Sequence, residues 1–282
     1  MENRVRRLLS TSILFLVVAG TGEGARAADS PGALANSEAT VGRTVGNYQI
    51  VDQDWELVPF HSLRGKVILL TFFYIDCHGP CFLINDSLRR VMAGLDADLA
   101  DGVTGLSVTI DAENDTPGEL RTYGGQFTPS FDRWRFVSAD RETLAKMTAD
   151  LGFSYQKGVI GFEHLNRMTL IGPDGTVAAH FYGVDYDPAE VNAAVRSLLE
   201  GRPLGARLSD VASKLMLYCS SYDPVTKTYR INGPFVAAIL VQYLLIMGTL
   251  LFLARRPLMA FGRRLVGAVR GASVVRCVRP TA

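Results

Sequence analysis

The chain has 282 residues, 48% hydrophobic and 20% charged, with a formal net charge of +1, enough for one or two domains with a sizeable core. The balance of charge removes any global argument for nucleic acid or acidic substrates, so the informative charges are local. In chain order, Arg4, Arg6 and Arg7 precede an apolar stretch from Leu8 to Gly20, and Ala25-Arg26-Ala27 supplies a small-x-small cleavage motif. Residues 1–27 are therefore expected to be a secretory signal peptide, and the small, polar residues 28–45 a linker.

From residue 46 the pattern becomes globular. "NYQIVDQ" and "VILLTFFYI" read as strands, the second as one buried on both faces. Helical spacing follows in "FLINDSLRRVMAGLDADL", with Leu83, Leu88, Val91 and Leu95 on one stripe, and "GVTGLSVTI" is another buried strand. Thr116-Pro117, Asp140 and Asp187-Pro188 are the N-caps and first helical residues expected of three further helices, and Gly152 is the expected stop of the second. "RMTLIGPDGTVAAHFYG" reads as a hairpin turning at Pro173-Asp174-Gly175. The order is β, β, α, β, α, α, β-hairpin, α. Helices between buried strands imply an α/β fold with a mixed central sheet flanked by helices, the element order of a thioredoxin-like domain over residues 46–200.

Residues 201–233 link this domain to a second apolar segment. Residues 234–254 carry no charge, and at ~1.5 Å per residue they are long enough for the roughly 30 Å hydrocarbon core of a bilayer. No acidic residue follows Asp223, whereas Arg255, Arg256, Arg263, Arg264, Arg270, Arg276 and Arg279 do. The positive-inside rule then makes 255–282 a basic cytoplasmic tail behind one C-terminal transmembrane helix. The expected location is the inner, cytoplasmic membrane, single-pass after signal cleavage, with the main domain facing an oxidising periplasm. Cys77, Cys81 and Cys219 lie outside on this topology and Cys277 inside, so at least one external thiol is unpaired or used chemically.

"DCHGPC", residues 76–81, closes the buried strand "VILLTFFYI". Pro80 suits the first turn of the following helix, whose amino end favours thiolate over thiol. C-x-x-x-C is one residue longer than the usual redox spacing. On a helix, residues four apart have Cβ atoms about 5–6 Å apart, which suits two sulfurs on one soft metal. A disulfide needs the turn to depart from helix so that the Cβ separation closes to ~3.8 Å. Structural disulfide, redox pair and metal site remain open on spacing alone. Among the histidines, His61 sits in a surface turn, His78 between the cysteines is expected to point away from their shared face, and His180 alternates along a hairpin strand. His164 differs: it precedes the apolar strand that adjoins the cysteine strand in a thioredoxin-like sheet, so its loop faces the cysteine loop.

At this point the residues resemble the Sco/SenC family, thioredoxin-like copper chaperones of cytochrome c oxidase assembly. The resemblance covers residues 46–185. It rests on "LRGKVILLTFFYIDCHGPC", on "VTIDAENDTPGELRTYG" and on "EHLNRMTLIGPDG", in the family's order. "YCSSYDPVTKTYRINGPF" is similar to a juxtamembrane segment of bacterial members with a C-terminal membrane helix. The resemblance implies a copper ion held by Cys77, Cys81 and His164, a ligand set whose sulfurs favour Cu(I). It implies delivery to the CuA-bearing subunit of a haem-copper oxidase or to another copper chaperone, with attachment to the membrane by one helix and no nucleic acid. Asp111 and Asp115 match acidic positions of the family and read first as turn and helix-start residues. Ala112, Pro80 before Cys81, Phe82 after it and Glu163 before His164 depart from the pattern without removing a ligand. The alternative is a periplasmic thiol–disulfide oxidoreductase acting through Cys77 and Cys81 as a redox pair, which would leave His164 dispensable. Oxidoreductases of this fold place a cis-proline before the strand facing the thiols; no proline lies between Ser130 and Pro173, and Asn166 takes that position.

Overall fold

The computed structural model describes residues 31–77, 79–158, 161–204, 220–223, 228–231, 233 and 237–252. The chain divides into two compact units, residues 1–230 and 231–282. In the first, the sheet is built around β3 (Val67–Phe73) and β4 (Val103–Thr109), whose seven residues each are all buried. They pair in parallel from Val67↔Val103 to Phe73↔Thr109, as expected of continuous apolar runs covered on both faces. β5 (Trp134–Ser138) adds to β4 in parallel. β8 (Arg167–Ile171) runs antiparallel on the other side of β3, followed by β9 (Val177–Tyr182). β1 (Gln49–Asp52) and β2 (Leu57–Pro59) extend the β5 edge antiparallel. The order is β2-β1-β5-β4-β3-β8-β9, a mixed thioredoxin-like sheet. Two small hairpins stand apart from it: β6 (Tyr155–Lys157) with β7 (Phe162–His164), and β10 (Ser220–Asp223) with β11 (Thr228–Ile231).

The expected caps are present. Thr116 and Glu119 form a reciprocal capping box on the helix Pro117–Gly124. Asp140 caps Arg141–Asp150 through Thr143 N–H, and Asp187 caps Pro188–Leu199 through Ala189 N–H. Gly152 follows the second of these with φ +61°, the left-handed conformation that ends helices. Numbered in chain order, the helices are α1 (Pro31–Glu38), α2 (Pro80–Ala93), α3 (Pro117–Gly124), α4 (Arg141–Asp150) and α5 (Pro188–Leu199). α2 packs on β3, β4 and α5, and α3 on β5. Strand alternation puts Thr71 and Phe73 on that face. On the opposite face Phe153, just after α4, stacks on Phe72 with ring centroids 4.1 Å apart.

The structure differs from the sequence reading at several points, among them the β10–β11 hairpin inside the expected linker 201–233. β5 went unrecognised because Arg133 and Arg135 interrupt "FDRWRFVS"; these flanking charges hide Trp134, Phe136 and Val137, which are buried. β2 and the β6–β7 hairpin are three residues per strand, too short for an alternation signal. Residues 31–38, expected in the linker, are helical. Ala33 and Leu34 of α1 are buried with Leu165 and Tyr182. Ser37 Oγ bonds the Tyr182 hydroxyl at 2.7 Å, and Thr40 Oγ1 and Ser37 O lie 3.2 and 2.9 Å from His180 Nε2. The small residues of "PGALANSE" carry almost no apolar periodicity, so this docking left little trace in the sequence. The expected membrane span 234–254 lies partly outside the described residues. Its described part, 237–252, is helical with exposed Leu240, Leu244, Leu251 and Phe252. Among the described residues no helix is long and apolar enough to cross a membrane.

A buried polar cluster fixes α2 to the sheet. Ser107 Oγ on β4 donates to Asn85 Oδ1 at 2.8 Å and accepts from Trp134 Nε1 at 3.0 Å. Asn85 Nδ2 in turn donates to Cys81 O at 3.3 Å and to the Tyr123 hydroxyl at 3.4 Å. Buried polar groups of this kind are tolerated only when satisfied. Asn85→Ala is expected to destabilise the protein by about 1–3 kcal/mol, the cost of orphaned buried partners, read from urea unfolding followed by the fluorescence of buried Trp134.

Candidate metal and thiol site

β3 ends at Phe73, and the chain crosses Tyr74, Ile75 and Asp76 to Cys77 before α2 begins at Pro80. The crossing is pinned by Asp115, a buried carboxylate that accepts from Ile75 N–H at 3.1 Å and from the Thr109 hydroxyl. Asp115 thus bridges the ends of β3 and β4. Burial pushes its carboxyl up, against the pull of those two donors. Asp111 plays the turn role expected of it: its carboxylate accepts from Asn114 Nδ2 at 2.9 Å.

Cys77 and Cys81 carry free thiols, the first half-buried and the second fully buried. They are hydrogen-bonded to each other. The Cys77 thiol is pulled down to about 6, chiefly by the hydrogen bond from Cys81. Backbone N–H groups of Cys81 and Gly79 and the Tyr74 hydroxyl add to the effect, and burial opposes it. This is helix-end stabilisation of a thiolate. Burial drives the Cys81 thiol the other way, well above the usual range, and its donated bond to Cys77 reinforces that. The pair is therefore asymmetric at neutral pH: Cys77 is the anion and Cys81 its proton donor.

His164 ends β7, paired with Tyr155 of β6. Its ring is buried, 5.3 Å from that of Phe153. Burial, helped by the charge of Arg167, lowers its pKa to about 4, so the imidazole is neutral. Its Nδ1 is buried without a hydrogen-bond partner. The hairpin meets the cysteine loop at Tyr74: the Phe162 ring lies edge-on to Tyr74 at 5.2 Å, and Phe162 N–H donates to the Tyr74 hydroxyl at 3.3 Å. The structure thus joins Cys77 to Cys81, and puts His164 two residues from a strand contact with the loop that bears them. Among the described residues no three His, Cys, Asp or Glu side chains are gathered closely enough to hold an ion.

His61 Nε2 lies 3.0 Å from Val45 O and 3.1 Å from Arg64 Nη2, a surface-turn role. His180 is buried and bonded to Thr169, Thr40 and Ser37. Asn166 is buried just before β8, where its carbonyl accepts from Gly183 N–H at 2.9 Å. His78, Cys219 and Cys277 lie outside the described residues. Tyr74 and Asn85 went unrecognised as site residues: Tyr74 reads as the tail of an apolar run and Asn85 as a polar position on an amphipathic helix.

A thioredoxin-like sheet that presents a thiol pair at the junction of a central strand and its helix defines a thiol or soft-metal protein. The chain belongs to the SCO1/SenC family, whose model matches residues 36–200. It is 28% identical over 141 residues to the SCO1 protein homolog of Bacillus subtilis, covering 49% of this chain and 72% of that one. It is 24% identical over 143 residues to a protein of Stutzerimonas stutzeri named as copper-binding, covering 49% of this chain and 69% of the other. Among solved structures it is similar to BsSco, described as a member of the Sco family of cytochrome c oxidase assembly proteins in which a disulfide switch was identified. The identity there is 25% and the TM-score 0.50, over 55% of this chain and 93% of that one.

The thiol asymmetry is measurable. Alkylation of Cys77 by iodoacetamide is expected to titrate with a midpoint near pH 6, following its depressed thiol, while buried Cys81 stays unreactive in the folded protein. Cys81→Ala, which removes the principal donor, is expected to move that midpoint upward, and Cys81→Ser to move it less because a hydroxyl can still donate.

Proposed function

We propose that this protein is a membrane-tethered copper-binding chaperone that delivers copper to the CuA site, or reduces the cysteines of that site, during cytochrome c oxidase assembly. The observation that carries the reading is the Cys77–Cys81 pair, a thiolate and its proton donor at a helix amino end, in a chain of the SCO1/SenC family. The names of relatives support it, one as copper-binding and one as belonging to a family of cytochrome c oxidase assembly proteins.

The donor set suits copper as cargo. Cys77 offers a formed thiolate, Cys81 a second sulfur once its proton leaves, and His164 a neutral imidazole whose Nδ1 is unpartnered. Two soft sulfurs and one imidazole favour copper over hard cations. Bringing His164 to the sulfurs requires the β6–β7 hairpin to close on the loop it already touches at Tyr74.

Membrane attachment and location belong to the same proposal. Export by residues 1–27, a span at 234–254 and a cytoplasmic tail at 255–282 would hold domain 46–200 in the periplasm at the inner membrane. The uncharged, outward-facing apolar helix 237–252 and the arginines after it support this. Tethering confines the domain to the plane of a membrane-bound recipient and raises its effective concentration.

The asymmetry of the thiols also favours a second reading, a thiol–disulfide reductase. The Cys77 thiolate would attack a partner disulfide and displace one partner thiolate. Cys81, giving up its proton, would then resolve the mixed disulfide, leaving the partner as a dithiol and Cys77–Cys81 oxidised.

Copper titration of the purified full chain separates the two. Binding close to one copper per chain is expected. His164→Ala is expected to weaken Cu(II) by more than the roughly 10–100-fold that loss of a metal ligand's supporting partner produces. Cys219→Ser should leave binding intact. Unchanged binding of both oxidation states by His164→Ala would overturn the three-ligand reading and leave the reductase.

A further inference from the structure

We infer that α1 and the turn after it are the positioning element of His164, because they grip both roots of the β6–β7 hairpin that carries it. That hairpin shares no backbone ladder with the main sheet. Its place is set by ring contacts along it, Phe153 on His164 and Tyr74 on Phe162, and by the two points where the chain enters and leaves it. The chain enters from Leu151 and Gly152, just after α4, and leaves through Leu165, the residue that follows His164.

At the entry root the approach is close. A Cβ on Gly152 would fall 2.5 Å from Asn36 O and 2.9 Å from Ser37 Cα, both backbone atoms of α1. Leu151 O accepts from Thr40 Oγ1 at 3.3 Å and from Arg167 Nη2 at 2.5 Å. One carbonyl therefore joins the turn after α1 to the first residue of β8. At the exit root, Leu165 is buried in one cluster with Ala33, Leu34 and Tyr182. Hydroxyl contacts close that cluster: Tyr182 donates to Glu38 Oε1 at 2.5 Å, and Ser37 Oγ lies 2.7 Å from the same hydroxyl. A helix of small residues buries little apolar area, so satisfied polar contacts are what give it one seat. Ala33 and Leu34 lie before residue 36, where the family match begins.

Leu34 and Tyr182 are thus positioning residues that act on His164 through Leu165. The inference rests on the copper reading only for what His164 is used for; the contacts stand without it. The test uses the purified full chain in detergent micelles. Leu34→Ala thins the cluster around Leu165, and Tyr182→Phe keeps the ring while removing the hydroxyl. In the metal-free protein, hydrogen exchange in β6 and β7 is expected to rise about tenfold in each variant while that of β4 stays unchanged. Cu(II) affinity is expected to fall about tenfold, as when a ligand loses its supporting partner. Cu(I), held mainly by the two soft sulfurs, is expected to change less.

A helix that merely stabilised the fold would raise exchange in β4 and the hairpin together and leave the affinity of the folded protein where it was; that result overturns the inference. So does unchanged exchange in β6 and β7, since α1 then does not hold the hairpin. If exchange rises there but Cu(II) affinity is unaltered while His164→Ala weakens it, α1 steadies the hairpin without placing the imidazole, and the inference is again overturned. If His164→Ala itself binds Cu(II) normally, the copper reading fails, and a rise in exchange confined to β6 and β7 still upholds the placement of His164 by α1.

Discussion

The molecule turns on how a negative sulfur is kept at the end of a buried strand. A thiolate so placed loses most of its hydration, which alone would push its proton affinity up. Here donors more than offset that loss. The Cys81 thiol, two backbone N–H groups at the start of α2 and the Tyr74 hydroxyl all converge on Cys77 Sγ. Three of these donors belong to the turn between Gly79 and Cys81, so the arrangement needs the helix to start where it does. Pro80 at the first helical position, with no N–H of its own to satisfy, fixes that start. Asp115, clamped between Ile75 N–H and Thr109, sets how the strand is left. Asn85, bonded to Cys81 O and Ser107, sets how the helix lies.

The second arm is built on a different principle. His164 is kept neutral by burial and by a neighbouring cation, against a hydrogen bond with the Leu165 backbone that favours the charged form. Arg167 is itself buried, with Nη2 donating to Leu151 O at 2.5 Å and its guanidinium 5.5 Å from the centre of the Phe153 ring. Its positive charge disfavours imidazolium, the form that cannot ligate. α1 and the turn after it close the back of this region through Ser37, Glu38 and Thr40 on Tyr182 and His180. The family match begins at residue 36, within this helix and inside the stretch whose composition suggested a linker.

What could be read from the chain follows from where apolar residues run uninterrupted. β3, β4, the β8–β9 hairpin and the capped helices were legible because "VILLTFF" and "VTGLSVT" admit few alternatives and Thr116, Asp140 and Asp187 are strong caps. β5 was hidden by Arg133 and Arg135, which interrupt the apolar run around buried Trp134 and Phe136. Cys77 and Cys81 stand out by their place between a buried strand and a helix start, and His164 was singled out by its place before a strand adjoining β3. Tyr74, Asn85 and Arg167 could not be found in that way. Their roles come from contacts across 88, 22 and 16 residues of sequence, at Phe162, Ser107 and Leu151, and no local pattern encodes such partners.

The two arms together shape the proton cost of taking up a soft metal. A ligand must be deprotonated before it binds, so sites usually release protons as they load. Cys77 is already a thiolate at neutral pH and His164 already a neutral base. Of the three proposed ligands, Cys81 is the one still protonated, and its proton is the one shared with Cys77. Loading would therefore consume the hydrogen bond that stabilises the Cys77 thiolate, replacing it with a shared cation. The empty state is thereby held in a form that neither leaves two buried charges side by side nor requires two deprotonations at once. The same hydrogen bond keeps Cys77 poised for attack on a disulfide, so metal handling and thiol exchange would draw on one feature of the structure: the inequality between its two cysteines.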